Sequence, residues 1–182
     1  FQSIFASTVA TSVAVAAVVF FGLVNPKIGK FGQVSFIDLS KSDSALRGVS
    51  LTSIWQNIGL TFVIVLAGLQ AVPDQLMEAA QLDGFGPVRR LFKVTLPLIS
   101  PTLLFLVVVL MIFGFQAFAP MEILTNGDPA GSTETLVFKI FNRQGPSLIS
   151  EGSVMALGLF GLTFVVTLIQ LTILNRRVHY GE

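Results

Sequence analysis

Four long stretches of the chain are apolar and free of charged side chains, and polar segments separate them. The charge-free stretches are Phe1–Pro26, Gly48–Pro73, Val94–Met121 and Gly152–Asn175. A hydrocarbon core about 30 Å thick needs about 20 apolar residues of helix, so each stretch is long enough to cross a membrane. The pattern predicts four membrane spans, which cover about residues Ser3–Val24, Thr52–Ala71, Leu98–Phe118 and Ser153–Leu174.

Composition supports a membrane protein and excludes several classes of site. Hydrophobic residues make up 53% of the chain and charged residues only 12%, whereas a soluble domain averages about 25% charged residues. The predicted fold class is therefore all-α, a polytopic membrane helical bundle. The absence of cysteine excludes disulfides and thiolate zinc sites. The lone histidine, His179, cannot form a His-rich metal site, and a net charge of +1 gives no field that indicates nucleic acid.

The segments that flank the spans have simple interpretations. The first span is rich in small residues, which suit close helix packing in lipid, and it ends at Asn25-Pro26. Residues 27–50 are expected to form a solvated loop, and residues 119–151 a longer loop with several turns. Trp55 is expected to be an interfacial anchor near the end of its span. Because apolar sequence begins at once and no signal peptide is evident, we expect a C-terminal portion of a longer protein.

A polar connector, residues 72–97, joins the second and third predicted spans. Its pattern predicts two short helices with a sharp turn between them. Strong helix formers fill the segment Asp74–Leu82, whose first residue places a carboxylate in the first turn. Gly84 supplies the backbone conformation that ends this helix, Pro87 can begin the next one, and Pro97 is expected to close it.

The surface of the first connector helix leaves two interpretations open. The connector could be an inert solvated loop, or a helix that docks through a face with small residues in its middle. That face contains Leu76, Ala79, Ala80 and Asp83. Ion pairs could also fix the turn, and the candidate side chains are Glu78, Asp83, Arg89 and Arg90.

Several residues of the connector recur at the spacing of a known motif. They are Glu78-Ala79-Ala80, Asp83-Gly84, Leu96-Pro97 and Pro101. In this order they resemble the cytoplasmic EAA loop of the permease subunits of binding-protein-dependent ABC importers. The segment Thr125–Leu136 resembles a segment of carbohydrate and glycerol-phosphate permeases, although Asp128 stands where glycine is common. The ending Arg176–Tyr180 is similar to the tail of sn-glycerol-3-phosphate permease subunits.

The resemblance implies a type I importer permease fold with about six spans, of which about four are present. Residues 1–182 would be the C-terminal portion of the permease domain, and residues 72–97 its cytoplasmic coupling loop. The protein would lie in the bacterial inner membrane as a multi-pass subunit that imports a sugar or a glycerol phosphate. The contact with the ATPase would be formed by Glu78, Ala79, Ala80, Asp83 and Gly84.

The resemblance also implies the partners. These would be a dimer of ATP-binding subunits, a second permease subunit, an extracytoplasmic solute-binding protein and membrane lipid, without nucleic acid. The chain lacks a glycine-rich phosphate loop, so we expect no catalytic residue, metal or cofactor of its own, with ATP bound by the partner subunit.

Polar side chains within the spans are candidates for the substrate path, because such groups face a cavity or a partner helix. The candidates are Asn57, Gln116 and Gln170, with Gln56 as a further polar position. Each could equally form a hydrogen bond between helices. Gln116 is preferred, because an amide beside the aromatic rings of Phe113, Phe115 and Phe118 suits the hydroxyls and C–H faces of a sugar or polyol. Lys139 and Arg143 could meet an acidic substrate or the binding protein, or could simply be solvated.

Two other function classes are weighed against the importer. A fragment of an ion-coupled secondary transporter or channel would need charged relay groups within its spans, and the four charge-free stretches contain none. A membrane-embedded enzyme would need clustered histidine or acidic residues at a membrane face.

Overall fold

The fold is described by a computed structural model that covers residues 2–32 and 34–175. Within these residues all regular structure is helical, so the predicted all-α bundle is confirmed. In chain order the elements are α1 (Gln2–Ala6), a 3₁₀ turn (Ser7–Ala10), α2 (Val13–Val24), α3 (Ser42–Gln70), α4 (Asp74–Leu82), α5 (Pro87–Arg90), a π-helical segment (Leu91–Thr95), α6 (Leu96–Leu98), α7 (Ser100–Phe115), α8 (Ala119–Leu124), α9 (Leu136–Phe141) and α10 (Ile149–Asn175).

Two helices, α3 and α10, are long and apolar enough to cross a membrane. The helix Pro87–Leu98 and α7 pass the same test only as a pair, and they are bent by 68° relative to each other. The second and fourth predicted spans are therefore confirmed as long apolar helices. The third, Leu98–Phe118, corresponds to α7, which has 16 residues and passes the test only together with the helix Pro87–Leu98 of the predicted connector. Helix α2 is apolar but has only 12 residues.

The first predicted span, Ser3–Val24, is wrong as a continuous helix, because the chain is interrupted at Thr11 and Ser12. The Ser12 side chain caps α2 by accepting a hydrogen bond from the Val15 amide at 3.3 Å. Gln56 on α3 donates from Nε2 to the freed Thr11 carbonyl at 3.2 Å. Serine and threonine hydroxyls compete for backbone groups, which explains why the Ser/Thr-rich sequence breaks here.

The prediction of a solvated loop over residues 27–50 is also wrong in part, because α3 already begins at Ser42. Leu39 is buried in the core, and the chain around it lies so close to Gly48 that a Cβ there would meet the Ile37 carbonyl at 2.9 Å. Trp55 consequently lies well inside α3 rather than near its end. Its ring packs against Phe20, with the ring centroids 5.5 Å apart.

The loop before α3 is fixed by Asp38. Its carboxylate accepts a hydrogen bond from the Ser40 amide at 2.9 Å and pairs with Lys41 at 3.4 Å. The Asp38 carbonyl accepts from the Ser44 hydroxyl at 2.6 Å. The hydrogen bond from the Ser40 amide, helped by Lys41, holds the pKa of Asp38 below its ordinary value.

The main hydrophobic core lies beside the N-terminal half of α3. Helix α8, in the segment expected to be a loop, packs against α2 and α3. The core residues come from the first span, the loop before α3, α3 itself, α8 and α9; they are Ala17, Val24, Leu39, Val49, Met121, Leu124 and Phe138. A helix of 29 residues is about 43 Å long at 1.5 Å per residue. The core is therefore at one end of α3 and the connector at the other.

Candidate functional site

The connector begins where α3 ends and has the predicted helix–turn–helix form. Helix α4 has the expected bounds, Asp74–Leu82, with an acidic residue in its first turn. It ends in a Schellman turn: the Gly84 amide donates to the Gln81 carbonyl at 3.1 Å, and the Phe85 amide to the Ala80 carbonyl at 3.0 Å. Gly84 has a φ of +76°, which glycine adopts without steric strain. This local structure is as the sequence predicted.

Helix α4 packs back on the second half of the connector through one face. Ala80 on this face is buried, and α4 contacts both α5 and the π-helical segment. Two polar contacts reinforce the packing: the Thr95 hydroxyl lies 3.8 Å from the Met77 sulfur, and Arg90 Nη1 lies 3.4 Å from Gln81 Oε1. The connector is therefore a folded unit.

The predicted coupling residues separate into an exposed group and a buried one. Glu78, Ala79, Asp83 and Gly84 are exposed, whereas Ala80 is buried. A partner could contact the first four directly but could not reach Ala80. The expected small face of adjacent alanines is thus divided, because two consecutive residues on a helix point about 100° apart.

The ion pairs expected at the turn do not form. Arg89 instead lies over the Phe85 ring, 4.2 Å from its centroid, and Arg90 is directed to Gln81. In the part of the chain that the structure describes, Glu78 and Asp83 have no salt bridge. Both carboxylates are exposed, and so are three large apolar side chains of the connector: Leu82, Val88 and Phe92. The surface of the connector therefore contains both acidic and apolar groups.

The second half of the connector turns sharply before it enters α7. Proline at 97 was expected to close the helix, and the helix ends one residue later, at Leu98. Ile99 has a φ of −87° and a ψ of 2°, and α7 begins at Ser100. Just beyond the bend, α7 packs on the C-terminal end of α3, where a Cβ on Gly68 would lie 3.0 Å from Thr102 Cγ2. The two helices that enter and leave the connector are in contact there.

The three predicted path residues lie on different helices and in different surroundings. Asn57 on α3 donates to the Ser53 carbonyl of its own helix at 2.8 Å. Gln116 caps the C-terminus of α7 and is exposed. Gln170 on α10 is buried, and its Nε2 lies 2.9 Å from the Met111 sulfur on α7. The Gln170 Oε1 atom is buried with no hydrogen-bond partner among the described residues.

The two basic residues expected in an outer loop lie on or just after α9 and already have partners. Lys139 pairs with Glu134 at 3.0 Å, and Arg143 with Glu151 at 3.4 Å. Thr133, which is buried, was not predicted as a site residue. Its hydroxyl donates to the Asp128 carbonyl at 3.0 Å. In the sequence, only its place in a turn rich in serine, threonine, glycine and aspartate indicated Thr133.

Among residues 2–32 and 34–175, no three histidine, cysteine or acidic side chains come close enough to hold a metal ion. The tail segment Arg176–Tyr180, which carried one of the resemblances, lies outside the described residues.

Comparisons with known proteins agree with the helical fold. Residues 2–180 match the family model described as "Binding-protein-dependent transport system inner membrane component". The chain is 36% identical over 189 residues to the sn-glycerol-3-phosphate transport system permease protein UgpA of Yersinia pseudotuberculosis, covering 99% of this chain. It is 33% identical to UgpA of Escherichia coli strain UTI89, again over 99% of this chain. The chain spans 64% of the length of these curated relatives.

Solved structures are similar to the chain at lower sequence identity. A bacterial ABC transporter involved in the import of the acidic polysaccharide alginate matches with a TM-score of 0.75 and 22% identity, over 96% of this chain and 64% of that chain. The alginate transporter in complex with an alginate pentasaccharide-bound periplasmic protein matches with a TM-score of 0.73 and 20% identity, over 96% of this chain and 62% of that chain. At this identity the likeness shows a shared fold.

Proposed function

The chain belongs to the family of inner membrane components of binding-protein-dependent transport systems, and on that premise we propose that it is part of a permease subunit of an ATP-driven importer. The proposed substrate is a sugar or a glycerol phosphate. The names of the similar proteins support this choice, because sn-glycerol-3-phosphate and alginate are both hydroxyl-rich and both anionic. The chain itself would be non-catalytic, with ATP bound and hydrolysed by a dimer of partner subunits.

The observation that carries the proposal is the connector. It presents an exposed helix surface of Glu78, Ala79, Asp83 and Gly84, and its two ends lead directly into α3 and α7. A short helix that seats in a groove of another protein is a common mode of recognition. A movement of that partner would act on two apolar helices at once, which is what an ATP-driven switch between inward- and outward-facing states requires.

The proposal orients the chain in the membrane. The connector would be cytoplasmic, where the ATP-binding subunits are, and the core end with α8 and α9 would face outward, toward the solute-binding protein. A second permease subunit would complete the path.

The buried position of Ala80 gives the proposed coupling residues different roles. Glu78, Ala79, Asp83 and Gly84 would contact the ATP-binding subunit. Ala80 would act as a spacer that sets how closely α4 lies against α5.

Gln170 is the proposed path residue that the geometry favours. A buried carbonyl oxygen without a donor is unfavourable by about 1–3 kcal/mol. The substrate hydroxyl that we propose would supply that donor when α7 and α10 move apart. Gln170→Leu should therefore lower uptake without lowering thermal stability, and Gln170→Glu should retain part of the uptake of a neutral sugar. A loss of stability equal to the loss of uptake would contradict the role in the path.

The proposal is tested by reconstitution of the full-length protein. It would be placed in proteoliposomes with its ATP-binding subunits, second permease and solute-binding protein, and ATP-dependent uptake of labelled sn-glycerol-3-phosphate or of an acidic oligosaccharide measured. Ala79→Trp should abolish co-purification of the ATP-binding subunit. Ala130→Trp, an exposed alanine at the core end, is the control and should leave it unchanged. Uptake without ATP, or equal co-purification in both variants, would overturn the proposal.

A further inference from the structure

The bend between Leu98 and Ser100 is flanked by two prolines, Pro97 and Pro101, which are spaced by about one helical turn. In an α-helix the carbonyl of residue i accepts from the amide of residue i+4. The carbonyl of Pro97 would need the amide of residue 101, which is also proline and has no N–H. The helical pattern therefore cannot satisfy the Pro97 carbonyl by itself.

The Ser100 hydroxyl takes the place of the missing donor. Its Oγ donates to the Pro97 carbonyl at 2.7 Å. On either side of this bond the ladder resumes, with the Ile99 amide donating to the Thr95 carbonyl at 3.0 Å and the Leu103 amide donating to the Ile99 carbonyl at 3.0 Å. Ile99 itself is buried. A side-chain hydrogen bond thus spans the bend, and backbone hydrogen bonds lie on both sides of it.

We propose that Ser100 is a positioning residue that holds the 68° bend as a fixed elbow, so that the connector and α7 move together. The inference rests on the proposed function for its consequence, which is tight coupling between ATP hydrolysis and transport. Without the hydroxyl, the Pro97 carbonyl loses this hydrogen bond, and the helical segments on the two sides of Ile99 become free to change their relative angle. Movement of α4 then changes the angle of the bend and does not displace α7.

The elbow angle can be measured without substrate or ATP. In the full-length protein in nanodiscs, spin labels at Val88→Cys and Phe113→Cys would report the distance between the two arms. Both positions are exposed, and the present sequence contains no cysteine. We expect a narrow distance distribution, which Ser100→Ala broadens. Ser100→Thr should restore it, because threonine also bonds to a carbonyl one turn back.

The control is Ser153→Ala on α10. The Ser153 hydroxyl donates to the Ile149 carbonyl at 2.8 Å, but that carbonyl keeps its helical amide donor, so the distance distribution should not change. In the reconstituted importer, Ser100→Ala should lower solute transported per ATP about three- to tenfold, the change in population that one net hydrogen bond can make.

Three results would overturn the inference: a distribution in Ser100→Ala as narrow as in the parent protein, a broadening that Ser100→Thr does not reverse, or a broadening in Ser153→Ala. A parent protein that transports none of the proposed substrates would instead overturn the proposed function. The label distances would still decide the role of Ser100.

Discussion

Gly84 requires glycine because of its backbone conformation and not because of limited space. Its φ is +76°, and a Cβ added there would meet nothing within 4 Å. A Cβ on Gly86 would also meet nothing within 4 Å, but its φ is −63° and its ψ 164°. Gly84→Ser and Gly86→Ser therefore add the same side chain at two open sites, and only the first adds it in the left-handed region.

The expected difference follows from these angles. A residue with a Cβ in the left-handed region is disfavoured by about 1–2 kcal/mol, which is about a 5- to 30-fold change in an equilibrium constant. In Gly84→Ser this energy weakens the two hydrogen bonds that close the Schellman turn. Gly86 is the N-cap of α5, where serine is a favoured residue, so Gly86→Ser should be neutral or slightly stabilising.

Hydrogen exchange of a peptide that covers residues 76–90 measures this opening directly. In the full-length protein in nanodiscs, Gly84→Ser should speed exchange of the turn amides about 5- to 30-fold, and Gly86→Ser should not. Under the proposed function, affinity for the ATP-binding subunit should fall by a similar factor in Gly84→Ser only. Equal exchange in the two variants would refute the assignment of a left-handed conformation that requires glycine at position 84.

Three further predictions concern other parts of the molecule. Ala80→Leu should overpack the contact between α4 and α5, which costs about 1–3 kcal/mol, and should speed hydrogen exchange of the connector. Under the proposed function, Ala79→Leu should weaken only the binding of the ATP-binding subunit, so equal exchange rates in the two variants would contradict this. Phe138→Ala should lower the free energy of unfolding by about 3–5 kcal/mol in denaturant titrations, and Phe141→Ala by clearly less, because the Phe141 ring is 47% exposed. The lowered pKa of Asp38 stabilises the folded state above the ordinary value of 3.8, and this contribution is lost as the pH falls through the lowered pKa. Below pH 3.8, the melting temperature of Asp38→Asn should therefore depend less on pH than that of the parent protein. Identical pH profiles in the two proteins would contradict a lowered pKa for Asp38.

The connector could be predicted from the sequence because its structure depends on neighbouring residues. Helix formers between Asp74 and Leu82 determine α4, a glycine with open space ends it, and Pro87 begins the next helix. These are preferences of the backbone and of capping, which act over a few residues. The prediction of the bounds succeeded for that reason.

Which side of α4 is buried could not be predicted in the same way. The sequence pattern does not distinguish Ala79 from Ala80, because both are small residues at the middle of the same face. Ala80 is buried only because α5 and the π-helical segment pack against that side of α4. The expected ion pairs do not form for a different reason, since Arg89 lies over the ring of Phe85, four residues earlier in the chain. The burial of Ala80 depends on tertiary contacts, which a single helix period does not contain.

The broken first span illustrates how a hydropathy pattern can identify apolar sequence and still miss its structure. Hydropathy reports which residues avoid water, and it treats an apolar segment with a break like one without. The break is stable because Gln56 supplies a donor from the neighbouring helix. A freed carbonyl inside an apolar bundle needs such a donor, so the polar residue on α3 and the interruption opposite it belong to one feature.

The glycines of α3 let neighbouring segments pack closely against this helix on opposite faces. At about 100° per residue, Gly48 and Gly59 share a face and Gly68 points to the opposite side. The loop before α3 packs against Gly48, and the 3₁₀ turn of the first span packs against Gly59. On the other face, Thr102 of α7 packs against Gly68. Small residues on opposite faces let backbones approach α3 from two sides. Under the proposed function, a displacement of α4 that reaches α3 would act on both neighbours, whereas the bend at Ser100 would act on α7 alone, so mutations could separate the two routes from the connector.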